Sequence, residues 1–196
     1  MAQLYAIAST MERARFFLSA GAPVVQLRIK HEPLAPYERE VRDWPERYPE
    51  SRIIVNDDFD FARRVDAWGV HLGQEDVLRY GREPLRTSGM ALGISTHSDE
   101  EIALAKTYAP AMLGFGPIFA TSTKEVGHAP QGISRLEEVV RSNGLPIIAI
   151  GGISESTLAA VSSTGCAYIA MIAYLDRFTD PEALRDFAAR LEALGT

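Results

Sequence analysis

Three polar side chains alternate with apolar residues near the start of the chain. Gln26, Arg28 and Lys30 end a segment that begins with Val24 and Val25. Side chains at every other position of a β-strand leave the same face, so a strand here would direct all three groups to one side. A solvated strand end is the structural alternative. A guanidinium and an ammonium group beside an amide are suited to an anion, and the formal net charge of −6 means that an anionic ligand must be met by such local cations.

Carboxylates follow the next two apolar segments. Asn56, Asp57 and Asp58 come directly after the first of these segments, and Asp76 follows the second after a short polar stretch. Carboxylates after neighbouring strands can share one Mg²⁺, which typically takes one or two protein carboxylates together with phosphate oxygens of a substrate. The alternative is a helix N-cap. We expect Asp58 or Asp60 to take that part, which leaves Asp57 available for the metal.

Hydroxyl groups and glycines follow three of the later segments. Ser95 either binds a ligand or caps the next helix, although Ser98 is better placed for capping. A long loop over residues 116–132 contains a Thr-Ser-Thr-Lys run at 121–124, whose hydroxyl, backbone N–H and ammonium groups suit an anion. The Gly-Gly pair at 151–152 is either a tight turn or a place where the backbone approaches a phosphate closely.

Several other kinds of protein are disfavoured. Cys166 is the only cysteine, so the chain forms no intramolecular disulfide and no cysteine metal cluster. The four histidines lack the spacing of a zinc site, and we interpret His71 as a packing or supporting residue at a strand end. The negative net charge argues against a nucleic-acid partner. No apolar run approaches about 18 residues and no signal-peptide pattern is present, so we expect no membrane partner and a cytoplasmic location.

Short apolar segments alternate with helical patterns along the chain, and these elements must position the polar residues. The apolar segments are residues 4–7, 24–29, 52–55, 69–72, 91–95, 112–116, 146–150 and 168–172. Helical spacing of apolar residues occurs at 11–19, 36–48, 59–66, 99–107, 134–141, 155–163 and 181–194, whereas 76–87 is weak as a helix. Continuous apolar strands are typical of parallel sheets covered on both faces. The alternation predicts an α/β protein with one domain over 1–196, a (β/α)8 (TIM) barrel, and a doubly wound open sheet is the alternative.

Six ordered motifs resemble those of the thiamine phosphate synthase (thiamine-phosphate pyrophosphorylase) family. They lie at residues 25–30, 55–57, 69–76, 93–97, 116–124 and 150–153, so the resemblance spans nearly the whole chain. The resemblance implies a transferase that condenses two small molecules, 4-amino-5-hydroxymethyl-2-methylpyrimidine diphosphate and hydroxyethylthiazole phosphate. The products would be thiamine phosphate and pyrophosphate, with Mg²⁺ as cofactor. A homo-oligomer is compatible with the resemblance, which leaves the oligomeric state open.

The resemblance also implies roles for particular residues. It assigns the pyrimidine diphosphate to Gln26, Leu27, Arg28, Ile29, Lys30, Asn56, Ser95 and Lys124, of which Arg28, Lys30, Asn56, Ser95 and Lys124 would be catalytic. It assigns Mg²⁺ to Asp57 and Asp76. It assigns the thiazole phosphate to Thr121, Ser122, Thr123, Gly152, Ile172 and Ala173. The reaction would pass through a pyrimidine-stabilised cation, and the thiazole nitrogen, which has a free lone pair, needs no general base.

The chain departs from the family pattern at the eighth segment, and two alternatives stay open. Ala173 stands where the family usually has a serine, and Tyr168 and Tyr174 are larger than the residues expected there. One alternative is a thiazole tautomerase, which uses a histidine where this chain has Pro117. The other is a non-catalytic regulator that binds thiazole phosphate, for which Ala173 is the argument. A sugar-phosphate epimerase would need two acid/base residues facing each other across the barrel mouth.

Overall fold

The strands form a closed barrel in which each strand is parallel to both of its neighbours. The computed structural model describes residues 1–121 and 129–194. Strand order follows the chain, and the first strand pairs with the last. The strands are β1 (Gln3–Ala8), β2 (Val24–Leu27), β3 (Arg52–Asn56), β4 (Gly69–Leu72), β5 (Ala91–Thr96), β6 (Met112–Phe115), β7 (Ile147–Ile150) and β8 (Tyr168–Met171). The predicted (β/α)8 barrel is therefore confirmed, and the open sheet is excluded.

Helices follow the strands and cover the outside of the barrel. They are α1 (Met11–Ser19), α2 (Glu38–Arg47), α3 (Phe59–Arg64), α4 (Gln74–Tyr80), α5 (Arg82–Thr87), α6 (Asp99–Lys106), α7 (Gly132–Asn143), α8 (Glu155–Ser162) and α9 (Pro181–Ala193). Short 3₁₀ turns at Ala35–Tyr37 and Leu175–Arg177 precede α2 and α9. Within the described residues, no helix is long and apolar enough to cross a membrane.

The segment at 76–87, which the sequence marks as weak, forms two short helices instead of one. Gly81 lies between α4 and α5 and has a φ of 77°, a left-handed conformation that no residue adopts inside an α-helix. Pro84, in the first turn of α5, lacks a backbone N–H and could not donate within a continuous helix. The break follows from these two residues.

The second strand is shorter than predicted. The sequence predicts a strand over 24–29, whereas β2 ends at Leu27. The N–H of Arg28 still donates to the carbonyl of Ala8 at 2.9 Å, but β1 ends at Ala8 and offers no further acceptor in that ladder. Residues beyond Arg28 therefore leave the barrel wall at its carboxyl end.

Apolar side chains form two clusters that the barrel wall separates. The larger cluster fills the layer between strands and helices and includes Leu4, Leu27 and Phe187. The smaller cluster lies inside the barrel and consists of Tyr5, Ile7, Val24, Ile54, Met112, Ile148 and Ala170. Because both faces of each strand are buried, the strands are apolar at successive positions, which explains the continuous apolar segments of the sequence.

Arg13 joins the first helix to the segment between β8 and α9. Its guanidinium group donates to the carbonyls of Leu175 at 2.7 Å and Phe178 at 3.0 Å, and it lies 3.6 Å from the carboxylate of Asp176. Only 19% of the Arg13 side chain is exposed. The contact therefore fixes the segment that follows β8 at one edge of the barrel mouth.

We predict that Arg13→Met lowers the free energy of unfolding by about 1–3 kcal/mol, because it removes hydrogen bonds from a charged, half-buried group. Urea denaturation measures this loss. Arg185→Met, at an exposed position of α9, is the control and should change the free energy by less than about 0.5 kcal/mol. Equal effects of the two substitutions would contradict the assigned role of Arg13.

Candidate active site

A cavity of about 820 Å³ opens at the carboxyl ends of the barrel strands, and residues from all eight strands border it. This is the end of the barrel at which enzymes of this fold carry their active sites. The volume lies within the range of about 300–1,000 Å³ that is usual for small-molecule sites. The cavity is therefore the candidate active site.

Most of the residues selected from the sequence border this cavity. They are Gln26, Arg28, Lys30, Asn56, Asp57, Asp76, Ser95, Thr121, Gly152, Ile172 and Ala173. Leu27 and Ile29 point the other way: Leu27 is fully buried in the outer cluster, and Ile29 packs against that cluster. Any ligand contact of these two residues would have to come from the backbone. Ser122, Thr123 and Lys124 lie outside the described residues.

Two amide side chains lie side by side on neighbouring strands of the cavity wall. Gln26, on β2, is 3% exposed, and its Nε2 donates to Oδ1 of Asn56 on β3 at 2.5 Å. This hydrogen bond orients both amides. It leaves the Gln26 carbonyl oxygen as an acceptor and the Asn56 amino group as a donor, so the pair can contact a ligand group of either kind.

His71, interpreted from the sequence as a packing or supporting residue, lies inside the barrel wall and borders the cavity. Its Nε2 lies 3.0 Å from Oγ of Ser95, and the residue is 8% exposed. Gly93 and Gly114 make room for the ring, because a Cβ at Gly93 would lie 2.6 Å from Nδ1 and one at Gly114 would lie 3.2 Å from Cε1. Gly93 on β5 and Gly114 on β6 were the sequence signal that a large inward side chain on β4 needs space.

The two predicted metal ligands have different local roles. Asp57 adopts a φ of 64°, its N–H donates to the carbonyl of His71 at 2.9 Å, and its carboxylate lies 3.9 Å from Nζ of Lys30. Asp58, as predicted, is the N-cap of α3, where its carboxylate accepts from Phe61. Asp58 is therefore the residue that caps the helix, and Asp57 borders the cavity.

Asp76 combines a position at the cavity with a structural contact. One carboxylate oxygen accepts from the N–H of Gly73 at 3.3 Å, as in a capping box at the start of α4. The other lies 3.4 Å from Arg79. No group of three His, Cys, Asp or Glu residues able to hold a metal occurs in the part of the chain that is described. Two carboxylates would be enough only for a cation that takes its other ligands from a substrate and water, as Mg²⁺ commonly does.

Gly151 and Gly152 bring the loop after β7 against the loop after β6. A Cβ at Gly152 would collide with the carbonyl of Ala120, and one at Gly151 would lie 2.6 Å from Cα of Pro117. Both glycines have a positive φ, 100° and 64°. The two loops are joined by a backbone hydrogen bond of 3.0 Å from Phe119 to Gly151. The glycines thus shape one side of the cavity through close backbone packing.

Contacts at the rim hold the carboxyl ends of β5 and β6 together. Glu101 accepts from the N–H of His97 at 2.6 Å and lies 2.9 Å from its Nδ1. Gln131 donates its side-chain amide to the carbonyl of His97 at 3.0 Å, and its backbone N–H donates to Pro117 at 2.8 Å. These contacts fix the described ends of the connection between β6 and α7 beside Ser95 and the cavity.

Tyr174, one of the larger residues noted in the sequence, lies at the opposite rim. Its hydroxyl donates to the carboxylate of Glu155 at 2.7 Å, and its ring packs against Phe178 and Phe187. Burial, followed by the neighbouring Glu155 carboxylate, raises the pKa of the Tyr174 phenol. The hydroxyl is therefore protonated at neutral pH and serves to fix this rim.

These features define a class of protein, a single-barrel α/β enzyme whose cavity brings cationic side chains, carboxylates and hydrogen-bonded polar pairs together at the carboxyl ends of the strands. Residues 3–175 match a family model described as thiamine monophosphate synthase. A thiamine-phosphate synthase of Yersinia pestis (strain Pestoides F) is 35% identical over 181 residues, which cover 90% of this chain and 84% of that protein. One of Cronobacter sakazakii (strain ATCC BAA-894) is 36% identical, with coverage of 90% and 86%. The chain belongs to the thiamine monophosphate synthase family.

A solved structure is similar over nearly the same extent. A thiamine phosphate pyrophosphorylase from Pyrococcus furiosus superimposes with a TM-score of 0.80 at 28% sequence identity, covering 98% of this chain and 96% of that chain. The resemblance in the six sequence motifs is therefore accompanied by a similar barrel fold.

We predict that Gly93→Ala lowers the free energy of unfolding by about 1–3 kcal/mol, because the new methyl group displaces the imidazole of His71 from its position beside Ser95. Urea denaturation of the single and double variants measures the effect. In a His71→Ala background the same substitution should cost much less. Gly114→Ala is the matched variant and should cost less, because its Cβ would lie 3.2 Å from Cε1 of His71. An equal cost of Gly93→Ala in both backgrounds would show that His71 is not what the glycine accommodates.

Proposed function

We propose that this protein is a thiamine phosphate synthase, which joins 4-amino-5-hydroxymethyl-2-methylpyrimidine diphosphate to hydroxyethylthiazole phosphate. The observation that carries the proposal is the meeting of Arg28, Lys30, Asp57 and Asp76 at one cavity of a chain in this family. Two cations and two carboxylates from the ends of three neighbouring strands fit a diphosphate that arrives with Mg²⁺. A cytoplasmic location is part of this proposal.

Asp57 and Asp76 would hold the Mg²⁺. When bound there, Mg²⁺ would neutralise charge on the diphosphate and make pyrophosphate a better leaving group. The protein's own cations act on the same charge: Arg28 and Lys30 border the cavity beside the carboxylates. Lys30 lies 3.9 Å from Asp57, with about half of each side chain exposed, so this ion pair is weak and Lys30 can turn to a phosphate oxygen.

The bonds of the proposed reaction balance without a proton transfer. The bond between the pyrimidine methylene carbon and the diphosphate oxygen breaks, and its electron pair leaves with pyrophosphate. The resulting pyrimidine-stabilised cation is captured by the lone pair of the thiazole nitrogen. Asn56 and Ser95, in the two hydrogen-bonded pairs of the cavity wall, would orient the pyrimidine diphosphate, and Lys124 is assigned to the same substrate by the family resemblance.

The thiazole phosphate would lie at the ends of β7 and β8. Thr121, Gly152, Ile172 and Ala173 border the cavity there, and Ser122 and Thr123 are assigned to the same group by resemblance. Ala173 offers only backbone atoms, which would cost about 1 kcal/mol relative to a serine hydroxyl. Ser154, which carries a hydroxyl and is the N-cap of α8, also borders the cavity and lies on the same side.

Purified protein mixed with Mg²⁺, the pyrimidine diphosphate and the thiazole phosphate tests the proposal. We expect thiamine phosphate and pyrophosphate to appear in equal amounts. Isomerisation of a thiazole substrate without condensation would instead identify a tautomerase. Binding of thiazole phosphate without any turnover would identify a regulator. Either of these two outcomes would overturn the proposed synthase activity.

We predict that Asp76→Asn lowers kcat by about 100-fold or more, because it removes an anionic ligand from the proposed Mg²⁺ site. An asparagine oxygen can still accept from Gly73, so the start of α4 is retained. Steady-state kinetics and calorimetric titration with thiazole phosphate should show lost turnover with nearly unchanged thiazole phosphate binding. Asp58→Asn keeps a good N-cap for α3 and is the matched control. Full activity of Asp76→Asn in the absence of Mg²⁺ would refute the assignment.

A further inference from the structure

Tyr5 forms the floor of the cavity but takes no part in the contacts described so far. Its side chain projects from β1 into the barrel and is 1% exposed. Its hydroxyl oxygen is buried and has no hydrogen-bond partner within residues 1–121 and 129–194. A buried hydroxyl without a partner costs free energy in the folded protein, and such groups in native structures require an explanation.

The surroundings of Tyr5 place its ring below the polar wall. Strand pairing sets Tyr5 opposite Val24 and Ile7 opposite Gln26, so Tyr5 lies one inward position deeper than the Gln26 amide. Beneath it, the ring of Tyr168 contacts the Tyr5 ring edge-on, with centroids 6.0 Å apart. The Tyr168 hydroxyl is satisfied, because Arg52 donates to it at 3.1 Å. Among these residues only Tyr168 has a partner for its hydroxyl, and of the two tyrosines only Tyr5 borders the cavity.

The distribution of polar groups in the cavity indicates which of the two substrates reaches the level of Tyr5. Gln26, Arg28 and Lys30 follow one another from the interior towards the rim, so a diphosphate held by the two cations would leave its attached ring at the level of Gln26. On the other side of Tyr5, its strand partner Ala170 and the nearby Ile148 have aliphatic side chains that offer a ligand no hydrogen bond. Of the two proposed substrates, the aminopyrimidine carries several ring nitrogens and an amino group, whereas the single thiazole nitrogen is consumed in the reaction.

We propose that the Tyr5 hydroxyl recognises the pyrimidine ring by a hydrogen bond at the cavity floor and thereby contributes to specificity for this substrate. The inference rests on the proposed synthase activity and adds to it a residue outside the six motifs. Burial, with a smaller effect of Tyr168, raises the pKa of Tyr5, so the phenol is neutral at physiological pH and can both donate and accept.

Tyr5→Phe tests this role, and Tyr168→Phe is the matched control. For Tyr5→Phe we expect the KM for the pyrimidine diphosphate to rise about fivefold, the value that corresponds to one lost neutral hydrogen bond, with the KM for thiazole phosphate unchanged. The Tm of the ligand-free protein should stay equal or rise, because the substitution removes a buried hydroxyl that has no partner. Tyr168→Phe should leave both KM values unchanged and lower the Tm slightly, since Arg52 loses its acceptor.

Two results would overturn the proposal. One is an unchanged KM for the pyrimidine diphosphate in an otherwise active Tyr5→Phe variant. The other is a Tm loss for Tyr5→Phe larger than that for Tyr168→Phe, which would assign the hydroxyl a structural role. Failure of the underlying synthase activity is distinguishable from both, because the unsubstituted protein would then form no thiamine phosphate.

Discussion

Closure of the barrel is the constraint on which the rest of the structure depends. Parallel pairing of β8 with β1 leaves no free sheet edge and brings the carboxyl ends of all eight strands to one opening. Each strand then directs alternate side chains inwards. The inner residues of different strands therefore share a small volume, and a polar group at any inward strand end meets the others. The cavity and the candidate chemistry are consequences of this closure rather than of any single loop.

The same alternation explains what the sequence predicts well. Gln26 and Arg28 have the same parity along β2 and its last ladder hydrogen bond, so their common orientation follows from spacing alone, without knowledge of the neighbouring strands. Leu27 points outwards for the same reason, whereas Ile29 and Lys30 lie where the chain has left the barrel wall, and strand parity does not determine their placement. The family resemblance marks residues 26–30 as one block and does not separate inward-pointing from outward-pointing residues. That separation is a property of the strand and not of the motif.

Other features depend on which residues of neighbouring strands face each other, and the spacing of residues along one segment does not reveal this. His71 looks like a packing residue in isolation, and its contact with Ser95 becomes visible only when β4 and β5 are in register. Tyr5 lies between Leu4 and Ala6 in a strand that is apolar from Leu4 to Ala8, so nothing local distinguishes it from core. The break at Gly81 is intermediate: the glycine and proline are evident in the sequence, but a tertiary structure is needed to decide that the chain bends there.

The cavity is divided into two chemically different halves, and this division suits the proposed reaction. The ends of β2 to β5 supply the amide pair, the imidazole and hydroxyl pair, the cations and the carboxylates, whereas Ile148, Ile150 and Ala170 line the side formed by β7 and β8. In the proposed condensation, negative charge leaves with pyrophosphate on the polar side. The cation that remains would then face the aliphatic side chains of Ile148, Ile150 and Ala170, which offer it neither a nucleophile nor a hydrogen bond to water. Apolar residues at β7 and β8 would therefore protect the cation until the thiazole nitrogen captures it, so catalysis would depend as much on that wall as on the charged residues opposite.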